Sequence, residues 1–116
     1  MKLPNHEQAR VDPDKVREYL LNVAHPEGVG KATFFLTLGF ESQAWHLLAE
    51  ALQQLAQENP VTQTMTTSHG QKYIIDGQIM TPRGRSVMVR TVWIVDQGSP
   101  IPRLITAYPG EEEKQR

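Results

Sequence analysis

Ser86-Val87-Met88-Val89-Arg90-Thr91-Val92-Trp93-Ile94-Val95-Asp96 is the stretch on which the fold turns. It holds no glycine or proline, is dense in β-branched residues, and reads as one long strand. Alternation puts Val87, Val89, Thr91, Trp93 and Val95 on one face and Met88, Arg90, Val92, Ile94 and Asp96 on the other. The first set is the more apolar and is expected beneath helices, with Trp93 in the core. Arg90 then points to the open face. After a loop holding Gly98 and Pro100, Arg103 to Tyr108 reads as the last strand, ended by Pro109-Gly110. Ile105 and Ala107 suit the covered face, which places Leu104, Thr106 and Tyr108 on the open face with Arg90. Leu104 and Tyr108 would suit a core equally well.

Working upstream, Val61 to Ser68 is rich in threonine and alternates loosely, His69-Gly70 is a tight-turn candidate, and Lys72 to Asp76 returns as a hairpin partner. Asp76-Gly77 and Thr81-Pro82-Arg83-Gly84 are further turn signals. Before Pro60 the apolar period becomes helical. Asp12-Pro13 offers an N-cap acceptor and a proline at the first helical position. Val16, Tyr19, Leu20 and Val23 follow at helical spacing, in a helix ending near Asn22. Ala24 to Gly30 is a loop. A second helix is expected from Lys31 to Leu38, burying Phe34, Phe35 and Leu38, with Gly39 left-handed at its end. Ser42 is placed to cap a third helix, Gln43 to Glu58, whose Trp45, Leu48, Leu52 and Leu55 form one face. Asn59-Pro60 stops it. Helices first and strands after make an α+β fold: about three N-terminal helices packed on one face of a roughly four-stranded antiparallel meander sheet. Residues 1–110 are expected to form a single domain. Within it, 1–11 is an extended arm tacked down by Leu3 and Pro4, and 111–116 is a charged, flexible tail.

The 116 residues carry a net charge of −1, with 39% hydrophobic and 22% charged residues, as in an ordinary globular domain. No apolar run approaches the ~20 residues that span a bilayer, so no membrane partner is expected. The start, Met1 to His6, lacks the apolar region of a secretory signal. A cytoplasmic location is the expectation, or a target cell's cytoplasm for a module of a larger toxin system. There are no cysteines, and no pair among His6, His25, His46 and His69 has metal-ligand spacing. No metal or cofactor is expected. Charge is uneven along the chain: Gln71 to Arg103 holds five cations (Lys72, Arg83, Arg85, Arg90, Arg103) against two acids (Asp76, Asp96).

His25 stands out among the histidines, because it precedes a proline in a glycine-containing loop that leads into a helix. Helix N-termini present free N–H groups to anions. Lys31 opposes the helix dipole there and can add positive charge to an anion site. The loop Gly28-Val29-Gly30-Lys31 lacks the Walker pattern. Each residue also has a plainer reading. His25 and Lys31 can be a solvated loop histidine and a surface lysine, and Arg90 a surface cation paired with an acid across the sheet. Thr106 can be a simple strand former, and Tyr108 a half-buried aromatic with a wet hydroxyl.

Tyr19-Leu20-Leu21-Asn22, His25-Pro26, Gly30-Lys31-Ala32, Phe34-Phe35, Leu38-Gly39-Phe40, Arg90 to Ile94 and Arg103 to Pro109 together resemble an uncharacterised bacterial domain family. That family is similar to the small toxin ribonucleases of the barnase–EndoU–colicin–RelE-like superfamily. The resemblance implies RNA as substrate and metal-independent endonucleolytic cleavage. In such cleavage a 2′-hydroxyl attacks the neighbouring phosphate and leaves a cyclic phosphate. It also implies control by a small inhibitory or immunity protein. On this reading His25 does acid–base work, and Lys31 and Arg90 stabilise the phosphorane-like transition state. Thr106 and Tyr108 orient the phosphate or relay a proton, and Arg103 and Arg85 bind the RNA backbone. The near-neutral net charge keeps a second function open: a non-catalytic binding module that pairs with a neighbouring-gene protein.

Overall fold

The structure, a computed structural model, describes residues 1–110, so the charged stretch 111–116 lies outside the described residues. Three helices precede four strands. Helix α1 begins as an α-turn over Pro13–Lys15 and continues as a π-helical segment over Val16–Leu20. Helix α2 spans Val29–Thr37 and helix α3 Trp45–Glu58. Strands β1 (Val61–Thr66), β2 (Gly70–Met80), β3 (Ser86–Asp96) and β4 (Pro102–Pro109) form one antiparallel sheet in the order β1-β2-β3-β4. This is the expected α+β meander, and β3 has the expected ends.

The helices bury their apolar stripes against one face. Leu48, Leu52 and Leu55 of α3 join Ile75 and Ile79 of β2, Val89 and Trp93 of β3, and Leu104 and Ala107 of β4. Trp93 has no exposed surface, and its Nε1–H donates to Thr91 Oγ1 at 2.7 Å. The Thr91 hydroxyl donates in turn to the Ile75 carbonyl across the strand at 2.8 Å. Two buried polar side chains are thereby satisfied inside the core.

Several local expectations are corrected. Asp12 makes no cap hydrogen bond; its carboxylate accepts from Arg10 Nε at 3.0 Å instead. Val23 lies beyond the end of α1 and is 53% exposed. Ser42 caps nothing, because Ser42–Ala44 forms a 3₁₀ turn before α3 begins. Trp45, in the first turn of α3, is only partly buried. Gly39 does end α2 with φ +102°, and the N–H of Phe40 donates to the Phe35 carbonyl at 3.2 Å.

Asp76-Gly77 is no turn; β2 runs straight through it. A Cβ on Gly77 would lie 2.5 Å from Asn59 Nδ2 and 2.9 Å from Leu55 Cγ. The glycine therefore serves the close approach of α3 to β2. Gly77→Ala is expected to force the helix outward and to cost about 1–3 kcal/mol, read as a lower urea midpoint at unchanged slope.

The arm does more than tack itself down. Leu3 is buried, and Lys2 Nζ donates to the Gln57 carbonyl at 2.6 Å. Arg10 forms a parallel bridge with Arg103: its N–H donates to the Pro102 carbonyl, and its carbonyl accepts from the Leu104 N–H, both at 2.9 Å. The arm thus covers the first part of the outer edge of β4. Helices α1 and α2 pack against this strand as well.

Candidate functional site

The pairing of β3 with β4 shifts register between Val92 and Trp93: Val92 opposes Thr106, while Trp93 opposes Leu104. Ile105 is the extra residue of this bulge. Leu104 therefore turns into the core, the alternative left open for it, rather than lying on the open face, and Ile105 is half-buried rather than part of the core. Past the bulge, Thr106 pairs with Val92 and Tyr108 with Arg90, so both take the open face as expected.

The loop before α2 and the end of α1 reach these residues around the edge of β4. Lys31, in the first turns of α2, donates from Nζ to the Tyr19 hydroxyl at 2.6 Å. The Thr106 hydroxyl lies 3.5 Å from the same oxygen. Lys31 Nζ also stands 6.0 Å from the centre of the Tyr108 ring. The His25 ring meets the Tyr19 ring edge to face at 5.0 Å. Gly28 permits this arrangement, since a Cβ there would sit 2.9 Å from the Tyr19 carbonyl and 3.1 Å from its ring. Tyr19, His25, Ile105 and Thr106 line a cleft of about 550 Å³. Its rim is acidic: Asp12, Asp14, Glu18 and Glu27 line it, with Lys15 as the rim's cation.

Neither His25 nor Lys31 is the fully solvated side chain of the plainer reading; both are half-buried. The Glu27 N–H donates to His25 Nδ1 at 3.1 Å. An accepting Nδ1 requires the neutral ring to carry its proton on Nε2. Burial by itself raises the Tyr19 phenol. Hydrogen bonds from Lys31 and Thr106, with the charges of Lys31 and Lys15, outweigh it and hold the phenol below the usual tyrosine range.

Arg90 pairs across the strand with an acid, as its plainer reading holds. Nε and Nη2 donate to the two carboxylate oxygens of Asp76 at 2.8 and 2.9 Å. The Asp76 hydrogen bonds raise the guanidinium pKa, burial opposes, and the charge of Asp76 and the neighbouring Tyr108 add to the rise. A chain of contacts therefore runs from His25 through Tyr19, Lys31 and Tyr108 to Arg90.

Residues 2–111 match the family described as a domain of unknown function, DUF6883. The chain belongs to the DUF6883 family. No curated protein matches it in sequence. In fold, this DUF6883 domain is similar to a chain of the contact-dependent growth inhibition toxin–immunity protein complex from Klebsiella pneumoniae 342. The TM-score is 0.72 at 19% identity, covering 92% of this chain and 97% of that one.

Two expected members of the site lie elsewhere in the DUF6883 domain. Arg103 donates from Nε to Asp96 at 2.7 Å, beside the bridge made by the arm. The Arg103 hydrogen bond holds the Asp96 carboxyl below its usual range, against some burial and aided by the charges of Arg103 and His69. Arg85 is exposed at the β2–β3 turn, five residues along β3 from Arg90, or roughly 17 Å at the usual strand rise. Sequence reasoning missed Tyr19 and Asp76. Helical spacing filed Tyr19 with the apolar stripe, and Asp76 looked like part of a turn. Among the described residues, no group of three or more histidines and carboxylates is arranged to hold a metal ion. No helix among them is long and apolar enough to cross a membrane.

Proposed function

We propose that this DUF6883 domain is a toxin-type endoribonuclease that cleaves RNA without a metal, by attack of a 2′-hydroxyl on the adjacent phosphate. One observation carries the reading: Tyr19, His25 and Thr106, from a helix, a loop and a strand, line one cleft at the edge of β4, with Lys31 bonded to the Tyr19 hydroxyl and Tyr108 beyond it. Lys31 is the cation for the developing phosphate charge. The Thr106 and Tyr108 hydroxyls orient the phosphate, and Arg90 anchors Tyr108 from the facing strand position. His25 contributes the acid–base group or donor at the cleft mouth. The likeness of fold to a chain of a toxin–immunity complex supports a toxin-type role and a small immunity protein as partner. In that role the domain would act in the cytoplasm of a target cell.

Purified protein incubated with total RNA and EDTA is expected to fragment the RNA. His25→Ala and Arg90→Ala should each lose most of that activity. Intact RNA at high protein concentration, or undiminished activity in both variants, would refute the proposal.

The acidic rim favours a second reading, a binding module that captures a basic protein surface without chemistry. One stoichiometric protein partner in a pull-down, no RNA affinity and no growth arrest on induction would favour it. An active, unpartnered ribonuclease should arrest growth.

A further inference from the structure

We infer that Tyr19, rather than His25, is the group in this site that takes a proton from the substrate. The inference deepens the ribonuclease reading and rests on it for the identity of the substrate.

The histidine is poorly placed for that task. Its Nδ1 is already committed to the Glu27 N–H, so the neutral ring of this cleft-lining residue carries its proton on Nε2, as a donor. To accept at Nε2 the ring would need its proton on Nδ1, pointed at the Glu27 N–H. His25 is thus set to donate to a phosphate oxygen.

The phenol of Tyr19 is placed in the opposite sense. Its oxygen accepts from Lys31 Nζ at 2.6 Å. Two ammonium groups stand close to it, Lys15 Nζ 4.9 Å from the ring centroid and Lys31 Nζ, at the hydroxyl end, 5.1 Å from it. Both favour the phenolate. The Thr106 hydroxyl, 3.5 Å away, is a further polar neighbour from β4. The other charged or titratable groups facing this spot are Asp12 before α1, Asp14 and Glu18 on α1, His25 and Glu27 in the loop, and Tyr108 on β4. The carboxylates oppose ionisation of the phenol, but no hydrogen bond joins any of them to the Tyr19 oxygen, whereas Lys31 bonds it directly.

The step balances. Phenolate Tyr19 takes the 2′-hydroxyl proton, and the 2′-oxygen bonds to phosphorus. The bond to the 5′-oxygen breaks, and that oxygen takes a proton from solvent water. Tyr19 then returns its proton to solvent, leaving a 2′,3′-cyclic phosphate and a 5′-hydroxyl end. Lys31 both holds the phenolate and faces the phosphate.

Ultraviolet titration of tyrosinate absorbance tests the assignment, because the chain has only three tyrosines, Tyr19, Tyr73 and Tyr108. One phenol is expected to ionise ahead of the others. Tyr19→Phe should abolish that early phase, and Lys31→Met should move it to higher pH. In parallel, Tyr19→Phe should lower cleavage about 100-fold or more and remove the rise of rate with pH expected of the wild type. Three phenols titrating together, or an early phase that survives Tyr19→Phe, overturns the inference even where RNA is cleaved. An early phase belonging to Tyr19 in a protein that cleaves no RNA sinks the ribonuclease reading and leaves Tyr19 as the site's proton acceptor.

Discussion

Lys31→Met is expected to reduce RNA cleavage by about 100- to 1,000-fold, the usual cost of removing one donor aimed at developing charge. The fold should survive. The methionine keeps most of the apolar stem, and Lys31 is half-buried near a cleft rather than in the core. One hydrogen bond is lost, that to Tyr19, worth about 1 kcal/mol. The far-UV circular dichroism spectrum should be unchanged, and the thermal midpoint should fall by no more than about 8 °C. Lys31→Arg keeps the charge but widens the head group, so partial activity is expected. A fully active Lys31→Met protein would remove the cation on which the site depends.

The largest effect on stability is expected at Trp93. It is fully buried beneath the helices and is paired with Leu104 across the register shift. Trp93→Ala should cost about 3–5 kcal/mol through the cavity it leaves. Small domains hold only about 5–15 kcal/mol in total, so the urea midpoint should fall by a large fraction of its wild-type value. Trp93→Phe keeps one aromatic ring but removes the rest of the indole and the Nε1–H that donates to Thr91 at 2.7 Å, so a smaller loss of about 1–3 kcal/mol is expected. Equal losses in the two variants would mean that the retained ring contributes nothing to the packing.

The fold was legible wherever one local pattern decided it. Ser86 to Asp96 alternates without interruption, and the observed strand has those ends. The long helix is legible from its leucine spacing and from Asn59-Pro60. Failures fell where a neighbour decides the conformation. Asp76-Gly77 has turn chemistry, yet the glycine is there because α3 presses on the strand. The bulge at Ile105 depends on pairing across β3 and β4, and no spacing within one strand reveals it.

The candidate site was legible in its loop and strand residues, since a histidine and a lysine beside a helix start, with hydroxyls on an alternating strand, carry their own chemistry. Tyr19 was not. Helical periodicity reports which way a side chain points, but not that its hydroxyl crosses a strand edge to meet Lys31 and Thr106. Asp76 became visible as the partner of Arg90 only once the register set Asp76 opposite it. That Arg85 and Arg103 stand away from the cleft is hidden in the sequence for the same reason. Their charge is plain in the sequence, but their distance and their partners are not.

The end chemistry of cut RNA is the most direct test of the claim that this cleft cleaves phosphodiesters through a 2′-hydroxyl. A defined RNA treated with the purified protein in EDTA should yield 2′,3′-cyclic phosphate and 5′-hydroxyl ends, and the same oligonucleotide with a 2′-deoxy sugar at the cut site should remain whole. Cleavage of the deoxy substrate, or fragments ending in 3′-hydroxyl and 5′-phosphate, would contradict it.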